Sequence, residues 1–311
     1  MKPRGWGSSI CSGALAALLA AAWLTGAAQD SSPTAVPHIA FETFEYFPDY
    51  SGDRPPPRDV HGDATSKGAV AVAPSVEHRT RWFRARFQLD ATPSDVLALY
   101  VAGANRGVRV FVNQVEIGNT SLSDAETFGW NYPLFFGVPS ALLREGENTL
   151  DLVLNLTALG RGSFRGVELG PHDLLKPEYD RVLFWRVTGP QITTLIAVLL
   201  SAIALLVWLR RPNESVYGWF GLACALAAIR NTHFFVTAPV SEWVYEVWAA
   251  VPLHWMSVAL VIFAFRLCGQ RLPLIEKIMV IVTLAWTVAI VVTRAPIVVD
   301  LAYLWLFALS I

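Results

Sequence analysis

At 311 residues the chain has room for two ordinary soluble domains, but a composition that is 54% hydrophobic, with a mean hydropathy of +0.43, excludes a wholly soluble protein. Its 24 Lys and Arg stand against 25 Asp and Glu, a formal net charge of −1, so it lacks the basic excess that neutralises nucleic-acid phosphates, and DNA and RNA are not expected partners. The three cysteines, Cys11, Cys224 and Cys268, lie in the leader or in hydrophobic segments, which leaves the polar half with no disulfide or Cys-based zinc site.

Residues 1–28 read as a secretory signal, with Lys2 and Arg4 at the basic end, an apolar stretch over 14–24 and small residues at 25–28. An uncleaved anchor is the other reading, and both export the residues from 29 onward. Residues 29–78 form a Pro-rich approach segment, where Pro33, Pro37, Pro48 and Pro55-Pro56-Pro57 block helix and sheet. One strand is expected within it, over 39–47, and linker elsewhere.

The pattern then turns to period two over 79–172. Phe83, Ala85, Phe87 and Leu89 point one way and Arg84, Arg86 and Gln88 the other, as in a half-buried strand. A second strand is predicted over 96–101. Val108, Val110 and Val112 alternate into an Asn113-Gln114 reversal and then Val115 and Ile117, a hairpin that Gly118 ends. Further strands are predicted over 132–138, 150–156 and 165–169. Short strands divided by Gly, Asn and Pro turns indicate an all-β antiparallel sandwich or jelly roll.

Residues 173–190 connect this domain to an all-α bundle over 191–311, with Tyr179, Phe184, Trp185 and Arg186 suited to a helix that reaches the headgroup layer. Residues 191–209 are long enough to cross a hydrocarbon core of about 30 Å. Further spans are expected over 216–236, 245–265 and 274–292, with an incomplete fifth over 301–311. The lipid bilayer is therefore an expected partner. An exported residue 191 makes the loop at 210–214 cytoplasmic, together with that carrying Arg266, Arg271 and Lys277. The outer loops hold one basic residue, Arg294, so the positive-inside rule is obeyed.

Chemistry-bearing residues are sparse. His38, His61, His78 and His172 follow no metal-ligand spacing, and Asp124, Glu126, Glu145 and Glu147 fall in predicted turns, so neither a metal nor a catalytic site is predicted, and no cofactor. Asn105, Arg106, Trp130 and Asn131 are the ligand-binding candidates, because aromatic faces stack on apolar ring surfaces while Asn and Arg hydrogen-bond hydroxyls or acids. The plainer reading is that Trp130 packs on the core and Asn105 shapes a turn. Within the apolar half, Arg230, Asn231, His233, Glu246 and His254 are expected to form one polar cluster beneath the exported domain, coupling its movement to the helices, since an ionisable group at depth needs a partner. The alternative is that Arg230 and His233 snorkel to the headgroups.

The run Arg211-Pro-Asn-Glu-Ser-Val-Tyr-Gly-Trp-Phe220, with Ala227-Ala-Ile-Arg-Asn231 and His233-Phe234-Phe235, resembles the first cytoplasmic loop and second helix of bacterial seven-transmembrane receptors with diverse intracellular signalling modules. The exported half resembles their jelly-roll sensor, which is similar to the galactose-binding-like sugar-binding domain of some glycosidases. The matching runs are Arg81-Trp-Phe-Arg-Ala-Arg-Phe87, Val110-Phe-Val-Asn-Gln-Val-Glu-Ile-Gly118, Trp130-Asn-Tyr-Pro-Leu-Phe-Phe136 and Gly146-Glu-Asn-Thr-Leu150.

The resemblance covers about residues 80–311 and implies a homodimeric inner-membrane receptor, with residues 29–190 periplasmic and a carbohydrate or other small ligand. It implies the input half of a longer protein whose output is a histidine kinase or, as the alternative, a diguanylate cyclase. Two other classes stand beside it. A transporter-associated binding protein would carry more intramembrane charges or broken helices, and a tethered carbohydrate-active enzyme would carry paired acids in a cleft.

Overall fold

The computed structural model describes residues 38–50, 52–62, 64–71, 80–93, 96–104, 107–120, 130–156, 161–237 and 241–310. The expected leader and the residues Asn105, Arg106, His78, Asp124 and Glu126 lie outside them.

Eleven strands are described: β1 Ile39–Phe41, β2 Phe44–Phe47, β3 Ala64–Ser66, β4 Ala69–Ala71, β5 Thr80–Leu89, β6 Leu97–Ala104, β7 Val108–Val112, β8 Val115–Asn119, β9 Leu134–Val138, β10 Gly146–Asn155 and β11 Arg161–Pro171. They build two antiparallel sheets. One runs β1-β11-β6-β9, with β4 also on β11, and the other β3-β2-β5-β10-β7-β8. Phe83, Ala85, Phe87 and Leu89 of β5 pack with Leu97, Leu99 and Val101 of β6, Val108, Val110 and Val112 of β7, and Leu150, Leu152 and Leu154 of β10 in one core. The two-residue period read in the sequence gives these inward faces.

The expected linker is a correction. Residues 38–71 supply four strands, and residues 52–62 lie across the outer face of the six-stranded sheet. There Phe47, Trp82, Phe111 and Val153 make a second small core, with Tyr50 packed on it. This is why β5 is buried on both faces, where its alternation had predicted one. A proline run has carbonyls but no N–H groups, so it presents an excess of acceptors. Arg84 supplies the donors: its guanidinium bonds the carbonyls of Pro56, Pro57 (2.8 Å) and Val60 (3.2 Å), and its Nε bonds Asp151 Oδ1 at 2.6 Å. Both Arg84 and Asp151 side chains are 0% exposed.

The Asn113-Gln114 reversal has φ of 51° and 75°, the paired left-handed geometry of a two-residue hairpin. Asn113 also ties turns together. Its Nδ2 donates to Leu142 O and to Asn148 Oδ1, both at 2.7 Å, and its Oδ1 accepts from the Thr149 N–H at 3.1 Å. Asn113→Ala loses both the amide and the conformational tolerance, and should cost about 2–3 kcal/mol in chemical unfolding. Asn113→Gly keeps only the tolerance and should recover part of the loss. Equal stability of the two variants would show that the backbone conformation contributes nothing.

The C-terminal part is helical: α1 His172–Leu183, a π-helical turn Phe184–Thr188, α2 Gly189–Arg210, α3 Ser215–Asn231, a 3-10 turn Thr232–Phe234, α4 Glu242–Leu267, α5 Pro273–Thr293 and α6 Pro296–Ser310. α1 packs against β6, β9 and β11 and continues through the π turn into α2 as one 39-residue helix, His172–Arg210. The expected connecting segment is thus part of the first long helix.

Three helices among the described residues are long and apolar enough to cross a membrane: His172–Arg210, Trp243–Leu267 and Pro273–Thr293. Four complete spans were expected. The second of them is shorter than predicted: α3 has 17 residues, about 26 Å at 1.5 Å per residue. It ends where Thr232 Oγ1 turns to the Ile229 carbonyl and the His233 ring to that of Arg230. α2 and α3 lie close, with Ser201 Oγ on Gly221 O at 2.8 Å, and a Cβ at Gly221 would come within 2.8 Å of Leu205.

Candidate functional site at the sandwich and helix junction

The residues between the 3-10 turn and α4 end a helix, and the last carbonyls of a helix have no intrahelical donor. Side chains from the sandwich reach them. Asn131 Nδ2 donates to Phe234 O at 3.3 Å and also to Arg186 O, and the Tyr132 hydroxyl donates to Phe235 O at 2.7 Å. Trp130 Nε1 donates to the Tyr245 hydroxyl, which itself donates to His233 O at 2.9 Å. One hydroxyl of α4 therefore joins the sandwich loop to the end of α3. The Trp130 ring lies stacked near His233, with centroids 6.2 Å apart and planes at 29°, and 6.1 Å from Phe234. Arg186 Nη1 returns a bond from the π turn to Ala102 O of β6.

Two sets of residues expected to act separately meet here. Trp130 and Asn131, candidates for a ligand with packing as the plainer reading, bond the helix ends, and Asn131 is only 6% exposed. Tyr132 is half-buried against the same turn, and this partial burial raises its phenol above the ordinary value.

The expected polar cluster is divided. His233 joins the junction, and Arg230 offers it its carbonyl while its guanidinium lies over the Phe234 ring at 5.1 Å. Asn231 turns to α2, its Nδ2 3.5 Å from Thr193 Oγ1. His254 is 1% exposed and faces Ala250 O at 2.7 Å and Ala302 O of α6 at 2.9 Å, so it ties α4 to α6 instead. Glu246 is exposed near the N-terminal end of α4, within electrostatic reach of Tyr303. Depth along the helices had placed these groups level with one another; their azimuth, which sets partners, was not legible.

Tyr245, Tyr132 and Arg186 were missed as site residues. The available signal, an aromatic or arginine near the end of an apolar run, also marks any interfacial anchor. No group of three His, Cys, Asp or Glu side chains comes together among the described residues. A cavity of about 610 Å³ opens at the other end of the helices, between Asn213–Tyr217 and Arg266–Arg271, far from this junction.

No family model and no curated protein matches the chain. Among solved structures it is similar to a GH2 beta-galacturonidase from Eisenbergiella tayi bound to glycerol, at 10% identity and a TM-score of 0.31, covering 44% of this chain and 25% of that one. It is similar to a beta-glucuronidase of an uncultured Clostridium sp., at 13% identity and a TM-score of 0.31, covering 47% and 30%. It is also similar to a Streptomyces avermitilis alpha-L-rhamnosidase complexed with L-rhamnose, at 22% identity and a TM-score of 0.26, covering 45% and 11%. The chain spans less than a third of each of these proteins, and likenesses at such scores say nothing about what it binds.

Proposed function

We propose that the chain is the input half of a membrane signal-transduction receptor. An exported jelly-roll sensor, galactose-binding-like in form, takes a small ligand and shifts helices that cross the inner membrane, and a cytoplasmic histidine kinase domain reads the shift. The observation that carries this reading is the junction, in which Trp130, Asn131 and Tyr132 grip the helix ends through Tyr245 and three backbone carbonyls. A domain that was only tethered would need no such grip. The continuous helix from β11 to Arg210 supports the same reading, because movement of the sheet carries directly into the bundle. The receptor resemblance of the 211–235 region supplies the output class.

Orientation tests it. In a full-length protein lacking Cys11, Cys224 and Cys268, Val115→Cys on the exposed hairpin should react with a membrane-impermeant maleimide in intact spheroplasts, and Asn213→Cys only after lysis. Equal labelling of both positions in intact spheroplasts overturns the membrane crossing on which the proposal depends.

A further inference from the structure

Beside the junction, two arginines come together with no acid bonded to either among the described residues. Arg165 of β11 stands directly opposite Gly103 of β6 in the strand register. A Cβ at Gly103 would lie 3.5 Å from Arg186 Nη1 and 3.7 Å from Arg165 Nε, and 3.3 Å from Trp130 O. The two guanidinium nitrogens are therefore within about 7 Å of each other, inside the Debye length of about 8 Å at physiological salt, so their repulsion is not screened away.

Neither arginine makes an ion pair among the described residues. Glu178, whose charge reaches Arg186, is bonded to Arg181, and Glu168 on β11 is bonded to His38 at 2.9 Å. Arg186 spends one nitrogen on Ala102 O, and Arg165 is exposed. Glycine at 103 adds no side chain of its own to the space between them. The π turn that carries Arg186 is itself an irregularity of a kind found at functional sites.

We infer that Arg165 and Arg186 form a binding site for an oxyanion, a carboxylate or phosphate group, seated over Gly103 between the sheet and the π turn. Two guanidinium groups at this spacing can each donate to a different oxygen of one such group. The anion bridges β11 to the first long helix and removes the repulsion between the two cations. It thereby draws the sandwich and helix together beside Trp130. This deepens the receptor reading by naming the ligand's chemical class, and rests on that reading for its consequence in signalling. The oxyanion has two possible sources, a soluble ligand and the headgroup of an outer-leaflet lipid.

The test uses full-length protein in nanodiscs of zwitterionic phosphatidylcholine, titrated with citrate and with inorganic phosphate against chloride at equal ionic strength. Saturable binding of either anion is expected, weakened about tenfold or more by Arg165→Gln and less by Arg165→Lys. In nanodiscs containing phosphatidylglycerol, retention of that lipid by the wild type and its loss from Arg165→Gln, together with loss of citrate and phosphate binding, assigns the site to the headgroup. No saturable binding in either lipid, or binding equal in the wild type and Arg165→Gln, overturns the inference. Because binding is read directly, a failure of the receptor reading leaves this result standing, and a failure here leaves the orientation experiment standing.

Discussion

Replacing Arg84 with alanine is expected to destabilise the sandwich by about 3–5 kcal/mol, the largest effect of any single substitution proposed for it. The variant leaves Asp151 buried without its counter-ion, so folding must either hold an uncompensated carboxylate or take up a proton. It also takes the donors from Pro56, Pro57 and Val60, whose carbonyls hold residues 52–62 across β5 and β10. Protease cleavage within 52–62 should therefore accelerate together with the fall in unfolding midpoint. A double substitution, Arg84→Met with Asp151→Leu, removes both charges and should recover most of the stability of the sheet, while the segment still loses its anchor and stays protease-sensitive. If Arg84→Ala unfolds like the wild type, the ion pair does not hold this face together.

The same pair sets a pH dependence. Burial pushes the Asp151 carboxyl from 3.8 up to about 6, against the opposing hydrogen bond and charge of Arg84. On lowering the pH, the folded chain takes up this proton before the unfolded chain does. The contribution is thus fully present below about pH 4 and is lost as the pH rises through about 6. Protonation leaves Arg84 with its carbonyl partners, so the cation keeps its company. Asp151→Asn should flatten this part of the stability profile.

Removing the Tyr245 hydroxyl is expected to uncouple the sandwich from the helices. In Tyr245→Phe, Trp130 Nε1 and His233 O each lose a partner, a cost of about 1–3 kcal/mol for buried groups. Under the proposed function that energy is coupling energy, equivalent to about 5- to 150-fold in response. The full-length protein should insert in the membrane as before but lose most of its ligand-dependent phosphotransfer. Trp130→Ala should do the same more strongly, since the stacked indole is lost as well. Arg230→Leu should have the smaller effect, because it removes only the guanidinium's contact with the Phe234 ring and keeps the Arg230 carbonyl on His233. Hydrogen exchange over 130–138 separates the explanations: it should rise in both junction variants and stay unchanged in Arg230→Leu. Normal response in Tyr245→Phe removes the junction from signalling.

The division into a β-sandwich and a helical part was legible because it depends on periodicity and apolar run length, both local properties. The Asn113-Gln114 hairpin and the strand at 80–89 were equally legible. The Pro-rich segment was not. Proline excludes regular hydrogen bonding, which reads as linker, yet the same chemistry leaves carbonyls for Arg84 to collect from a strand over twenty residues away. The candidate residues were chosen by type and depth, and two of them, Trp130 and His233, lie with their rings near each other. Their pairing through Tyr245 depends on how a loop near residue 130 meets a helix near residue 245, a long-range contact with no local signature.

The helix from His172 to Arg210 also has a mechanical consequence. Its 39 residues run roughly 58 Å at 1.5 Å each, so it is a lever arm with the sheet clamped at one end. A tilt of about 10° at the sheet displaces the far tip by about 10 Å on that length. The π turn is where the shaft accommodates an extra residue: deleting one residue from 184–188 should close it to regular α-helix and leave the azimuth below nearly unchanged, whereas deleting one from the α-helical stretch 174–182 would rotate everything below by about 100°.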